Sequence, residues 1–231
     1  MKKIIIFGAT GLVGSEVLRE AIKDSQVEKV LAIVRKPLTL MENETVLSSY
    51  LHKLKVIIHS DFLDYEKIKD QFKEYDTCVW ALGISQSQVS KEDYIKITQD
   101  YTIAAATMIT QINPHMTFIF VSGMGADQQG NGRLLFGKIK GATEKELTKL
   151  GFYNLLIVRP AGIRPIHKNL NAPLIYKLIN PFYPLFELVL PSHVIKSTDL
   201  ARAILTIIHT SEKNRIIENQ ELRKIANPGG K

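Results

Sequence analysis

The sequence predicts a doubly wound α/β domain, a parallel sheet covered by helices on both faces. Three observations predict it. Short, nearly continuous apolar runs alternate with segments whose apolar residues recur at helical spacing, the pattern of strands buried on both sides. The alternation continues over most of the 231 residues with no internal repeat and no low-complexity linker, so the whole chain, 1–231, reads as a single domain. A glycine-rich turn joins the first apolar run to the first helical segment, which is where such folds place their tightest turn.

Each element follows from its residues. Ile4–Phe7 is the first strand, and Val13, Val17, Leu18, Ala21 and Ile22 then fall at helical spacing on an otherwise charged stretch. Val30–Val34 is the second strand and stops at Arg35-Lys36-Pro37, because proline cannot donate to a ladder. Val56–Ile58 is the third, closing at Ser60-Asp61, and Cys78–Leu82 the fourth, ending at Gly83. A long helix is expected from about Ser90 to Ile112, stopped by Asn113-Pro114. Phe118–Val121 and Leu155–Val158 are the fifth and sixth strands, with a helix from roughly Leu135 to Leu150 between them. Gly151 suits the left-handed position that ends that helix.

Right-handed crossovers at each step make this a Rossmann-like arrangement. The core spans about residues 1–165. Beyond Pro160 the alternation dissolves into a Pro-rich apolar stretch and an amphipathic helix near Thr198–His209. Residues 166–231 therefore read as a small C-terminal lid or substrate-side extension, with Asn227 to Lys231 frayed.

Composition excludes several classes. Hydrophobic residues make up 45% and charged residues 23%, the balance of a globular protein rather than a disordered or fibrous one. One cysteine, Cys78, cannot form an internal bridge, which suits a reducing compartment and a cytoplasmic location. Pro173–Pro191 is apolar but carries Lys177 and Glu187 and is broken by Pro181 and Pro184, so no transmembrane segment is expected. It suits a lid, a homodimer interface or a membrane-surface contact. The net charge of +7 fits an anionic ligand. The lysines are scattered and no nucleic-acid motif accompanies them, so no nucleic-acid partner is expected.

Gly8-Ala9-Thr10-Gly11-Leu12-Val13-Gly14 directly follows the first strand and opens the first helix. Gly8 allows the tight turn, Gly11 lets a diphosphate approach the backbone, and Gly14 lets helix pack closely on strand. The helix N-terminus adds free N–H groups and the positive end of its dipole. A dinucleotide site is the reading. NAD sites place an acid at the tip of the second strand, whereas this chain has Arg35 and Lys36 there. Two cations suit a 2′-phosphate, so NADP(H) is preferred over NAD(H). Asp61 and Phe62, after the third strand, would lie beside the adenine. Asp61 can equally be a cap for the segment that follows.

GATGLVG, Asp61, Ala81-Leu82-Gly83, Val121-Ser122-Gly-Met-Gly-Ala-Asp127, Lys140-Gly141-Ala-Thr-Glu144 and Val158-Arg159-Pro160-Ala-Gly162 appear in this order. Together they resemble the atypical short-chain dehydrogenase/reductases, specifically the Tat-interacting-protein-like branch of NAD(P)H-binding proteins. The resemblance implies that Ala81, Leu82, Gly83 and Pro160 join the glycine turn around the cofactor. It also implies a Ser, Tyr and Lys acting on a carbonyl. Ser122 matches the serine, although members often carry a serine pair where this chain has Ser122-Gly123. Lys140 matches the lysine of Tyr-x-x-x-Lys, and four places back stands Phe136. A phenyl ring has the shape for the site but no proton to give, while Lys140 on the same helix face still reaches the ribose hydroxyls.

Two readings follow. In one, hydride passes from a nicotinamide lying over Gly83 and Ser122 to a small carbonyl, quinone or flavin-like acceptor. In the other, the protein is a non-catalytic NADP(H)-binding redox sensor or assembly factor. Tyr153, Tyr176, Tyr183, His167 and His193 are the other proton donors nearby in sequence, but no spacing brings them to the site. Cys78, inside a strand, is expected to be a buried, inert thiol.

Overall fold

Apolar runs of four to eight residues, too short for buried helices, can satisfy their backbone only by pairing with one another. The computed structural model describes residues 1–38, 49–167, 191–210 and 213–229. In it the runs form β1 (Lys2–Phe7), β2 (Val27–Val34), β3 (Leu54–Ile58), β4 (Thr77–Trp80), β5 (Thr117–Val121) and β6 (Asn154–Arg159). A seventh strand, β9 (Arg215–Glu218), completes one sheet of order β3-β2-β1-β4-β5-β6-β9. Every neighbouring pair is parallel. The order reverses between β1 and β4, the switch point where folds of this kind open a ligand crevice.

Helices cover both faces. On one lie α1 (Leu12–Lys23), α5 (Ser197–His209) and α6 (Asn219–Ala226), over a core that includes Ile4, Val17, Val30 and Ile204. On the other, α2 (Lys91–Ile95) passes through a π-helical segment, Lys96–Asp100, into α3 (Tyr101–Ile112), with α4 (Leu135–Lys149) beside it. That face is aromatic: Phe7 meets Phe62, Tyr65 and Phe72 edge-on and lies 4.5 Å from Trp80, centroid to centroid. Ile4, Ile5 and Ile6 are all 0% exposed, and each such burial contributes about 1.5–3 kcal/mol. Ser90 caps α2, its Oγ accepting from Asp93 N at 3.0 Å, and Gly151 after α4 takes φ +69°.

The expected strands and helices fall within a few residues of their observed bounds, with two differences. The fourth strand stops at Trp80 rather than Leu82, because Ala81 and Leu82 turn to pack against Gly8. Beyond the expected amphipathic helix, which is α5, β9 and α6 add a further strand and helix to the main sheet. The signal was weak because β9 is an edge strand of sequence Arg-Ile-Ile-Glu, buried on one side, with Ile217 at 0% exposure and Ile216 at 37%.

The tail also forms a two-stranded parallel sheet of β7 (Gly162–Arg164) and β8 (Val194–Lys196). It is tied to α1 by Glu16, whose buried carboxylate accepts from His167 Nδ1 at 2.9 Å and Ser197 Oγ at 3.5 Å. Ser197 Oγ in turn accepts from Ile166 N. Residues 173–190 of the expected lid, with Tyr176 and Tyr183, lie outside the described residues. No helix among the described residues is long and apolar enough to cross a membrane.

Candidate active site

All strands of the main sheet are parallel, so the segments leaving their C-terminal ends share one edge. Phe7 pairs with Ile33 and Trp80, Trp80 with Phe120, and Phe120 with Ile157. That row brings Gly8, Arg35–Lys36, Ala81–Gly83, Ser122 and Pro160 to the same rim, with Asp61 and Phe62 following β3.

The β1–α1 turn is built around missing side chains. Gly8 takes φ +78°, and a Cβ there would sit 2.6 Å from Ala81 O and 2.7 Å from Leu82 Cα. A Cβ on Gly14 would collide with Gly8 O and approach the Gly8 carbonyl carbon at 2.6 Å. Gly11 N donates to Gly8 O at 2.9 Å, and Gly11 then caps α1 in an extended conformation. No side chain caps that helix end and no acid stands in its first turn, so its amides are directed at the rim for an anion. Thr10 and Leu12 are half-buried in the turn, while Val13 packs into the core at 9% exposure.

Arg35 and Lys36 are exposed at the tip of β2 and form no ion pair with another described residue. Asp61 is exposed and its Oδ1 accepts from Leu63 N at 3.0 Å, a local turn. The Phe62 ring is 1% exposed and packs on Phe7 and Tyr101, so only its backbone can face a nucleotide. Pro160 is buried, its carbonyl accepting from Met124 N at 2.8 Å.

Ser122 directly follows β5 with its amide bonded to Val158 O, and its Oγ donates to Glu144 Oε1 at 2.5 Å. Glu144 is fully buried and also accepts from Arg159 Nε at 3.0 Å, Arg159 Nη2 at 2.5 Å and Gln128 Nε2 at 2.9 Å. Arg159 bridges onward to Glu218 at 3.0 Å, and these carboxylates hold its pKa above the ordinary value, the Glu144 hydrogen bond most of all. Lys140, one helical turn before Glu144, donates to Val121 O at 3.0 Å and lies 4.7 Å from the Phe120 ring centroid. Burial pulls its pKa down from 10.5 to about 8, against the opposing pull of Glu144.

Phe136 does not sit as a tyrosine that has merely lost its hydroxyl. A Cβ built on Gly123 would lie 2.5 Å from Phe136 Cζ but 3.3 and 3.5 Å from the two Cε atoms. The ring axis therefore points at Gly123, and a hydroxyl on Cζ would be driven onto its main chain. Gly123 and Phe136 are complementary: the missing side chain at one makes room for the ring at the other. The other donors stand elsewhere. Tyr153 precedes β6 at the opposite edge, bonded to Lys213, His167 is held by Glu16, and exposed His193 meets Ser192 Oγ. Cys78 is buried, and burial pushes its thiol pKa well up.

The profile of the NAD(P)H-binding family matches residues 8–210, from the glycine turn through α5. The chain belongs to that family. It is similar to FMP52, a mitochondrial protein of Candida albicans, at 29% identity over 160 residues, covering 68% of this chain and 66% of that protein. It is similar to HTATIP2 of Rattus norvegicus at 25% identity over 162 residues, covering 69% and 62%. The chain thus spans about two thirds of the length of the relatives it matches. Its fold is shared by Gre2 of Candida albicans in complex with NADPH, with a TM-score of 0.68, 16% identity and coverage of 94% of this chain and 77% of that one. L-threonine dehydrogenase from Clostridium difficile gives a TM-score of 0.67 at 16% identity, covering 94% and 75%.

The glycine turn fits the ligand the family is named for: α1 presents an end that no side chain caps, and Gly11 at its N-cap puts no side chain between the amides and the rim. Sequence reasoning gave no role to Glu144, Arg159 or Gln128. The signal available was an acid one turn after Lys140 and an arginine closing an apolar strand, two opposite charges that a buried position must pair.

Proposed function

We propose that this protein is an NADP(H)-dependent oxidoreductase of the atypical short-chain type, passing hydride to a quinone, a flavin-like ring or a small carbonyl. The observation that carries this reading is the glycine-built β1–α1 turn at the switch point, whose helix end no side chain caps, on the same rim as Ser122. Arg35 and Lys36 support a 2′-phosphate, which a guanidinium pairs bidentately and a hydroxyl does not reward. The dinucleotide supplies the hydride when bound. The chain supplies orientation: the glycine turn seats the diphosphate and Lys140 offers an ammonium to the ribose hydroxyls. Position 136 offers no proton, and the loss of a positioned acid costs about 10²–10⁴-fold. That supports a quinone or flavin-like acceptor, whose proton can come from solvent. The single buried thiol of Cys78 suits a reducing compartment such as the cytoplasm.

The second reading, a non-catalytic NADP(H) sensor or assembly protein, is favoured by the Phe136–Gly123 contact, which leaves no room for a phenol. Thermal-shift titration with NADPH, NADP, NADH and NAD, followed by an acceptor screen, separates the two. Ligand at about 100 times its dissociation constant adds roughly 2.7 kcal/mol. The expected result is stabilisation mainly by the phosphorylated pair, with NADPH consumed by a quinone or flavin and turnover reduced in Ser122→Ala. Binding without turnover on any acceptor moves the conclusion to the sensor. No shift with any of the four removes both.

A further inference from the structure

Glu144 has two carboxylate oxygens and therefore about four acceptor directions, and the structure fills all of them. Oε1 takes Ser122 Oγ and Arg159 Nε, while Oε2 takes Arg159 Nη2 and Gln128 Nε2. A carboxylate in the grip of a guanidinium can only accept, so the short bond from Ser122, at 2.5 Å, fixes the hydroxyl proton on the Glu144 side. Ser122 keeps 7% of its surface, and what its oxygen can still offer is a lone pair. A serine that donates to a carbonyl oxygen needs that proton free, and here it is committed.

We propose that Glu144 is a positioning residue that sets the polarity of the site, so that the ligand group seated against Ser122 carries an O–H or N–H donor rather than a bare carbonyl oxygen. This rests on the reading of the rim as a ligand site and deepens it. Of the acceptors proposed above, the flavin-like ring has an N–H edge and fits as it stands; a quinone or small carbonyl fits only in its reduced form, the hydroquinone or alcohol. No bond is made or broken in this recognition.

The test uses cyclohexanol and cyclohexanone, probes of matched size that differ in the donor. Their affinities are measured by ligand-observed NMR on the full chain without nucleotide, and in the two dead-end mixtures, NADPH with cyclohexanol and NADP with cyclohexanone. One net hydrogen bond separates the probes by about fivefold. Wild type should favour cyclohexanol by that factor, and Ser122→Ala should bring the two together. Glu144→Gln, whose amide can donate to Ser122 Oγ and turn its proton outward, should shift preference to cyclohexanone. A purely structural Glu144 would change both affinities alike. Equal affinities in wild type, a preference that survives Ser122→Ala, or failure of both probes to bind overturns the proposal. If Glu144→Gln does not fold, the comparison of wild type with Ser122→Ala decides alone. A thermal shift with NADPH in the same samples keeps the two claims apart. Nucleotide binding without the probe preference removes only the polarity, and the preference without nucleotide binding removes only the cofactor reading.

Discussion

Replacing Gly123 by alanine places a methyl carbon 2.5 Å from Phe136 Cζ. Carbon atoms settle at about 3.5–4.0 Å, so the ring must withdraw by at least about 1 Å. Gly123 has no left-handed φ, so alanine suits its backbone and the whole effect lies in the contact. Overpacking of this kind costs about 1–3 kcal/mol, reduced by about 0.4–1 kcal/mol because alanine restricts the unfolded chain. At mid-range, about 2 less about 0.7, the net loss is about 1.3 kcal/mol, which should lower Tm by roughly 3–5 °C in a chain of this size. Urea denaturation of wild type, Gly123→Ala, Phe136→Ala and the double variant gives the coupling directly. In the Phe136→Ala background the alanine at 123 should cost nothing or stabilise slightly. An equal cost in both backgrounds, or no cost beside the native ring, would refute the complementarity of these two positions.

Other consequences can be checked in the same way. Arg159→Met strands the buried Glu144 carboxylate, and chemical denaturation should show a loss of about 3–5 kcal/mol. Lys140 is charged in both folded and unfolded chains below about pH 8, and between about pH 8 and 10.5 it is charged mainly in the unfolded chain. Its burial penalty is therefore full below about pH 8 and relaxes as pH rises through that window. Lys140→Met should accordingly raise the urea midpoint at pH 7 and lose the advantage by about pH 10.5, the gain being at most about 3 kcal/mol. Gly8→Ala meets both a φ of +78° and the carbonyl of Ala81. Its expected cost is about 1–3 kcal/mol, read as a lower Tm together with loss of nucleotide-induced stabilisation.

What the sequence disclosed follows from the physics of each segment. Strands buried on both faces are written as unbroken apolar runs, so β1, β2, β5 and β6 were legible, and the glycine turn was legible because three side chains are missing at fixed spacing. An edge strand needs only one apolar side, which is why Arg215–Glu218 carried no comparable mark. Side-chain commitments were the least legible. Ser122 and Lys140 could be placed at the rim, but the hydrogen bond from Ser122 to Glu144 spans 22 residues of sequence and Arg159 closes it from another strand. Phe136 was conspicuous as a residue type, and only its ring direction showed that Gly123 is its counterpart.

The stitching of Glu16 to His167 and Ser197 bears on what a substitution in the tail reaches. Glu16 stands on α1, the helix that opens with the glycine turn, while His167 follows β7 and Ser197 opens α5. One buried carboxylate therefore joins residues that stand 151 and 181 positions from it in sequence. A substitution at His167 or Ser197 acts on α1 itself, and so on the helix whose first amides face the rim, without touching the turn.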